Sequence, residues 1–198
     1  MILYLHGFRS SPLSMKSRLL AAQMQALGRS REWQCPQLPA SPKLAIELAL
    51  SLVKHVPAHE LTNELTIIGS SLGGYYATWL AEQLGCRAVL LNPAIVPLLD
   101  LEQHVGVTTA FHSDQPFEFK RDYIEELRAY AVPAITQPER YFLLAATGDE
   151  VLDYRDMVAH YAGARQTIID GSDHGISEFA DYLAPVLQFC GIGMDAGQ

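Results

Sequence analysis

Apolar and polar positions along this chain fall into two patterns that take turns. Ile2–Leu5, Leu65–Ile68, Arg87–Leu91 and Arg140–Ala146 are short runs in which apolar residues follow one another almost without a break. Strands covered on both faces of a parallel sheet have this composition. Gln166–Ile169 reads as the last strand, and Trp33–Leu38 as a further one weakened by Pro36. Between these runs the apolar positions recur at helical spacing. Leu19, Leu20, Met24 and Leu27 precede a stop at Gly28, and Leu44, Leu48, Leu52 and Val56 lie four apart. Gly73, Ala77 and Ala81 form a stripe of small residues suited to close packing on a sheet, and 153–162 and 178–189 read as the last two helices. Strands alternating with helices predict an α/β fold of three αβα layers around a mainly parallel sheet.

One stretch departs from this alternation. Residues 95–137 carry Pro97, Pro116 and Pro133, with Phe111, Phe117, Phe119 and Tyr123 set among polar residues. Only Tyr123, Leu127 and Tyr130 share a helical face there. The pattern predicts one domain over 1–198 with a cap-like insertion at about 95–137. Two readings of the insertion stay open. It is either a cover that shields the sheet, or a wall that binds substrate through Phe111, Phe117, Phe119 and Tyr123, since insertions of this length commonly serve function.

Composition narrows the partners. The chain has 198 residues, 49% of them hydrophobic and 18% charged, enough to bury a core without staples. A formal charge of -8 without any Lys/Arg run argues against nucleic-acid or anionic-membrane partners. Cys35, Cys86 and Cys190 are odd in number and widely spaced, which suggests neither a disulfide framework nor a metal site. Met1 leads straight into the first strand, leaving no room for a signal peptide, so the expected compartment is the cytoplasm. No metal or organic cofactor is expected.

Candidate chemistry starts at Gly69-Ser70-Ser71-Leu72-Gly73, between a strand pattern and a helix pattern. A strand-to-helix turn presents a serine hydroxyl outward when small residues lie two places before and after it. Gly69 and Gly73 satisfy this for Ser71, whereas Ser70 has Ile68 and Leu72 at those places. A serine nucleophile needs a base, and the base an orienting acid. His174, in Gly171-Ser172-Asp173-His174-Gly175, follows the last strand, at the sheet edge where sites in open α/β folds form. His55, His59, His104, His112 and His160 have no tie to a strand end and suit surface or packing roles. Asp149 follows the Arg140–Ala146 strand directly, with Val151 expected to anchor its loop and Glu150 expected to point away. Asp153 is the rival acid, though its position suits a helix cap. Asp170 and Asp173 stand too close to His174 in sequence to turn back on its ring. The backbone N–H groups of Phe8 and Leu72 are the expected oxyanion donors, with Gly7 letting backbone approach the substrate and His6 shaping the loop.

Leu-His-Gly-Phe, Gly-Ser-Ser-Leu-Gly-Gly-Tyr-Tyr-Ala-Thr, Asn-Pro-Ala, Thr-Gly-Asp-Glu-Val-Leu-Asp-Tyr and Asp-His-Gly together resemble the small YqiA-type esterases of the α/β-hydrolase superfamily, over nearly the whole chain. The resemblance implies hydrolysis of small-molecule carboxylic esters or acyl thioesters, with Ser71, Asp149 and His174 as the triad. A ligand-binding homologue without turnover, and carbon–carbon bond cleavage on the same framework, are the alternatives.

Overall fold

The computed structural model describes residues 1–95, 101, 103–109, 111 and 116–193. Pro97 and His112 lie outside them. In chain order the elements are β1 (Ile2–Leu5), α1 (Met15–Ala26), β2 (Trp33–Gln34), α2 (Pro42–Val53), α3 (Ala58–Glu64), β3 (Thr66–Ser70), α4 (Leu72–Leu84) and β4 (Arg87–Leu91). They continue with β5 (Gly106–Thr109), β6 (Pro116–Phe119), α5 (Asp122–Arg128), β7 (Tyr141–Ala146), α6 (Tyr154–His160), β8 (Arg165–Ile169) and α7 (Leu183–Phe189). Six strands form one sheet in the order β2-β1-β3-β4-β7-β8, every neighbouring pair parallel.

Successive side chains of a strand point to opposite faces, so each buried run feeds two cores. Leu3, Leu5, Ile67, Leu90 and Leu143 pack on one face with residues of α2, α4, α5 and α6. Ile2, Tyr4, Ile68, Val89, Phe142 and Leu144 pack on the other with α1 and α7. The result is the expected αβα sandwich.

Local signals explain the helix ends. Ser41 caps α2 by accepting the Leu44 N–H at 3.2 Å, and Pro42 follows at the first turn. Gly85 ends α4 in the left-handed conformation at φ 67°. Asp153 accepts the Arg155 N–H at 2.9 Å and caps α6.

Several expectations need correction. The buried face of α2 is Pro42, Ala45, Ile46, Ala49 and Val53, one residue round from the leucine row, and Leu44 is exposed. The alanines let the helix approach the sheet; Leu50 and Leu52 pack at the flank. The Trp33 strand has only two residues in the sheet, since Pro36 cannot donate to a ladder. The closing helix begins as a 3₁₀ turn at Phe179–Tyr182, and Pro185 falls in the first turn of α7, where no N–H is needed. Within the insertion, β5 and β6 pair antiparallel, with Gly106 opposite Phe119; β5 has one large apolar residue, Val107, and β6 opens on Pro116, so neither stands out as a strand in the sequence. Short, polar α3 has no apolar row to betray it.

Candidate active site

The turn from β3 to α4 holds Ser71 at φ 55° and ψ −121°, a conformation that a non-glycine residue adopts only under constraint. The glycines around it show what imposes this. A Cβ on Gly69 would stand 2.3 Å from the Gly73 carbonyl oxygen, and one on Gly73 would stand 2.0 Å from that of Leu5. Gly69 therefore lets strand and helix cross, as its spacing suggests. Gly73 serves a different neighbour, seating α4 on the end of β1.

Ser71, His174 and Asp149 come from three separate loops at the carboxyl edge of the sheet and are hydrogen-bonded in series. His174 Nε2 lies 2.9 Å from Ser71 Oγ, and His174 Nδ1 lies 2.8 Å from Asp149 Oδ2. The Asp149 side chain is fully buried, and its Oδ1 accepts the Val151 and Leu152 N–H groups at 2.8 and 2.9 Å. With both oxygens engaged, the carboxylate is fixed in rotation. Its Oδ2 accepts from Nδ1–H, which leaves the Nε2 lone pair facing the serine. Asp153 is occupied with capping α6. Asp173 accepts from Ser177, and Asp170 meets Thr147, so neither reaches the imidazole.

Two expectations about the acid loop are reversed. Glu150 does not point away, because its carboxylate accepts the His174 backbone N–H at 2.9 Å. Val151 is 57% exposed and does not anchor the loop in the core; the two amides on Asp149 hold the loop instead.

The Gly7–Ser10 segment after β1 runs alongside the serine. A Cβ on Gly7 would sit 3.1 Å from Ser71 Cβ. The turn closes through the Ser10 N–H onto the Gly7 carbonyl, with Arg9 at φ 57°, so the Phe8 N–H takes no part in closing it. Leu72 is the first residue of α4, where an N–H has no acceptor within the helix. His6 is buried and neutral. Its Nε2 accepts the Leu38 N–H at 2.9 Å while Nδ1–H donates to the Gly7 carbonyl at 3.0 Å, and burial lowers its pKa. It shapes the loop, as expected.

A cavity of about 390 Å³ opens over Ser71 and His174, within the usual size for small-molecule sites. Phe8, Leu72, Ala94, Leu101, Phe111 and Leu152 supply apolar lining, and Arg9, Ser10, Ser14 and Lys16 supply polar lining. Of the four insertion aromatics expected to bind substrate, Phe111 lines this cavity, with the Arg9 guanidinium 4.5 Å over its ring. The other three stand behind it. Phe117 and Phe119 each meet the Phe8 ring edge-to-face at 5.1 Å, and Tyr123 packs on Phe119 at 5.6 Å. Phe119 is wholly buried. These residues brace Phe8. His104 also packs on Phe8 at 5.6 Å and borders the cavity.

Two site neighbours escaped the sequence reading. Lys16 is buried at the cavity and donates to the Gly175 carbonyl. Burial pushes its pKa down to about 8, against the pull of the Asp173 and Asp149 carboxylates. Asn92, in the Asn-Pro-Ala motif, lies beneath the His174 loop. Helical spacing gave no hint of Lys16; the motif was visible but had no role attached. Among the described residues, no group of three or more His, Cys, Asp or Glu side chains is placed to hold a metal ion. None of their helices is long and apolar enough to cross a membrane.

Solved structures share this architecture. A protein from Agrobacterium vitis S4, provisionally assigned as a hydrolase, aligns with a TM-score of 0.69 at 20% identity, over 96% of this chain and 87% of its own. Est1E from Butyrivibrio proteoclasticus, solved with ferulic acid bound, aligns at 0.64 and 14% identity over 94% and 87%. Tomato methylketone synthase I, complexed with 2-tridecanone, aligns at 0.66 and 14% over 96% and 97%. At these identities the likeness shows the fold, which is that of the α/β-hydrolases. The family model described as uncharacterised protein family UPF0227 matches residues 1–191. The chain thus belongs to this family, the YqiA-like esterase family, as its dispersed motifs suggested.

Proposed function

We propose that this protein is a serine hydrolase that cleaves carboxylic esters or acyl thioesters through an acyl-enzyme on Ser71. The observation that carries the reading is the unbroken hydrogen-bond series from Ser71 Oγ through His174 to the buried Asp149 carboxylate, at the floor of a largely apolar cavity. His174 Nε2 takes the hydroxyl proton as Ser71 Oγ bonds to the carbonyl carbon, and the carbonyl π pair moves onto oxygen. The N–H groups of Phe8 and Leu72 stabilise that oxyanion, each worth about 3 kcal/mol of barrier. Collapse breaks the bond to the leaving alcohol or thiol, which takes the proton from His174. Water then attacks the acyl-enzyme with His174 again as base, releasing the acid and returning the proton to Ser71. Asp149 holds the tautomer on which both halves depend.

The proposed acyl chain lies on Phe8, Phe111, Leu101 and Leu152, whose apolar surfaces suit a hydrocarbon. Labelling with a p-nitrophenyl alkylphosphonate, followed by peptide mapping, tests the reading. Modification confined to Ser71, together with turnover of p-nitrophenyl butyrate or butyryl-CoA that disappears in Ser71→Ala, is the expected result. Absence of both labelling and turnover in the wild type would refute it. Substrates cleaved at a carbon–carbon bond belong in the same panel, because a phosphonate adduct alone does not separate the two chemistries.

A further inference from the structure

The Asn-Pro-Ala stretch after β4 touches every loop that carries the proposed triad. Asn92 is completely buried, and its side-chain amide uses each of its polar atoms. Oδ1 accepts the Ala146 N–H at 2.8 Å, at the end of the strand that leads to Asp149. Nδ2 donates to the Asp173 carbonyl at 3.0 Å and to the His174 carbonyl at 3.1 Å. Backbone bonds complete the junction. Asn92 N–H donates to Leu144 at 2.9 Å, Ser71 N–H donates to Leu91 at 3.1 Å, and Ala94 N–H donates to Ser71 at 3.1 Å. Pro93 fills the space beside Gly74, where an added Cβ would come within 2.6 Å of it. Lys16 holds the next carbonyl, that of Gly175.

From this geometry we infer that Asn92 is a positioning residue, whose amide fixes the His174 backbone relative to the loops bearing Asp149 and Ser71. The inference deepens the serine-hydrolase reading and rests on it. Its physical basis is the imidazole's need for two simultaneous short contacts, 2.9 Å to the serine and 2.8 Å to the aspartate. A backbone shift of about 1 Å is enough to cost about 100-fold in rate. A buried amide serves better than a hydroxyl here, because it donates twice and accepts at once. Asn also tolerates the left-handed φ of 44° at this position.

Asn92→Asp keeps shape and φ tolerance but turns a double donor into an acceptor facing two carbonyls; Asn92→Gly removes the side chain without backbone strain. Val53→Ala, in the core of α2, provides a control with comparable loss of Tm. The readouts are kcat and KM on p-nitrophenyl butyrate, the rate of phosphonate labelling of Ser71, and the low-field proton signal of His174 Nδ1–H. Both Asn92 variants are expected to lower kcat and the labelling rate about 100-fold with KM within about threefold, and to shift or abolish the low-field signal. The control should keep kcat and the signal. If the Asn92 variants lose no more kcat than the control, or if neither variant folds, Asn92 is a folding element and the inference fails. A wild type that neither labels nor turns over would instead sink the hydrolase reading. The His174 signal reports on positioning independently of turnover.

Discussion

Replacing Asp149 by Asn would keep the shape of the side chain but remove its charge and reverse one hydrogen bond. In the folded protein Asp149 Oδ1 accepts two backbone N–H groups, from Val151 and Leu152. Those donors dictate how an asparagine must sit: its carbonyl oxygen faces them, because an NH₂ group there would oppose two donors. The new NH₂ group therefore replaces Oδ2 and donates to His174 Nδ1. The imidazole proton must then move to Nε2, so the ring donates toward Ser71 Oγ when it needs to accept from it. Preventing the useful tautomer in a comparable serine triad costs about 10⁴-fold in kcat, about 5 kcal/mol of barrier. Stability should change far less, because the loop keeps both backbone bonds. The assay is kcat on p-nitrophenyl butyrate, normalised to folded protein and run from pH 7 to 10. The deficit should narrow toward alkaline pH as hydroxide takes over proton removal. A loss below tenfold, or an equal loss in Asp153→Asn, would refute the assignment of the acid. Asp153→Asn should cost no more than about 1 kcal/mol through its cap.

Further outcomes follow from packing and protonation. Gly73→Ala sets a methyl 2.0 Å from the Leu5 carbonyl oxygen and 2.7 Å from that of His6. Backbone cannot rotate aside, so denaturant titration should show a loss above about 3 kcal/mol, beyond ordinary overpacking. Phe119→Ala should cost about 3–5 kcal/mol; it also removes a brace on Phe8, so KM for longer acyl chains should rise more than for acetate esters. His6 is held neutral with its pKa lowered by burial, whereas the unfolded imidazole titrates near 6.5. The unfolded state thus binds more protons below that pH, and the stability His6 confers is present above it and lost as pH falls through the folded value. Chemical denaturation from pH 7.5 to 5 should show a decline that His6→Gln flattens; an unchanged slope would count against the assigned protonation state.

Much of this protein follows from its sequence because the signals involved are local. Runs such as Ile2–Leu5 and Tyr141–Ala146 must be buried on both faces, and buried parallel strands demand helices on either side. Ser71 stands out from Ser70 because it has glycines two places away on either side, where Ser70 has the bulky Ile68 and Leu72. The meeting of Asp149 and His174 with Ser71 was legible because the strand ends that carry them lie at one edge of the sheet. Local patterns fail where the deciding neighbour is distant in sequence. The leucine row of α2 was visible, yet the alanine face won, since only the sheet opposite determines how closely that helix must lie. Glu150 turned inward because the His174 N–H, supplied by another loop, needed an acceptor. Phe117, Phe119 and Tyr123 shared an aromatic character that indicated burial without indicating what they bury; the fold set them behind Phe8. Asn92 and Lys16 gained their place from carbonyls 81 to 159 residues further along, at Asp173, His174 and Gly175. Sequence by itself determined the layers, the sheet edge that carries the site and the residues able to do chemistry. Tertiary structure decided which groups hold those residues still, because hydrogen bonds between loops have no period and no spacing along the chain.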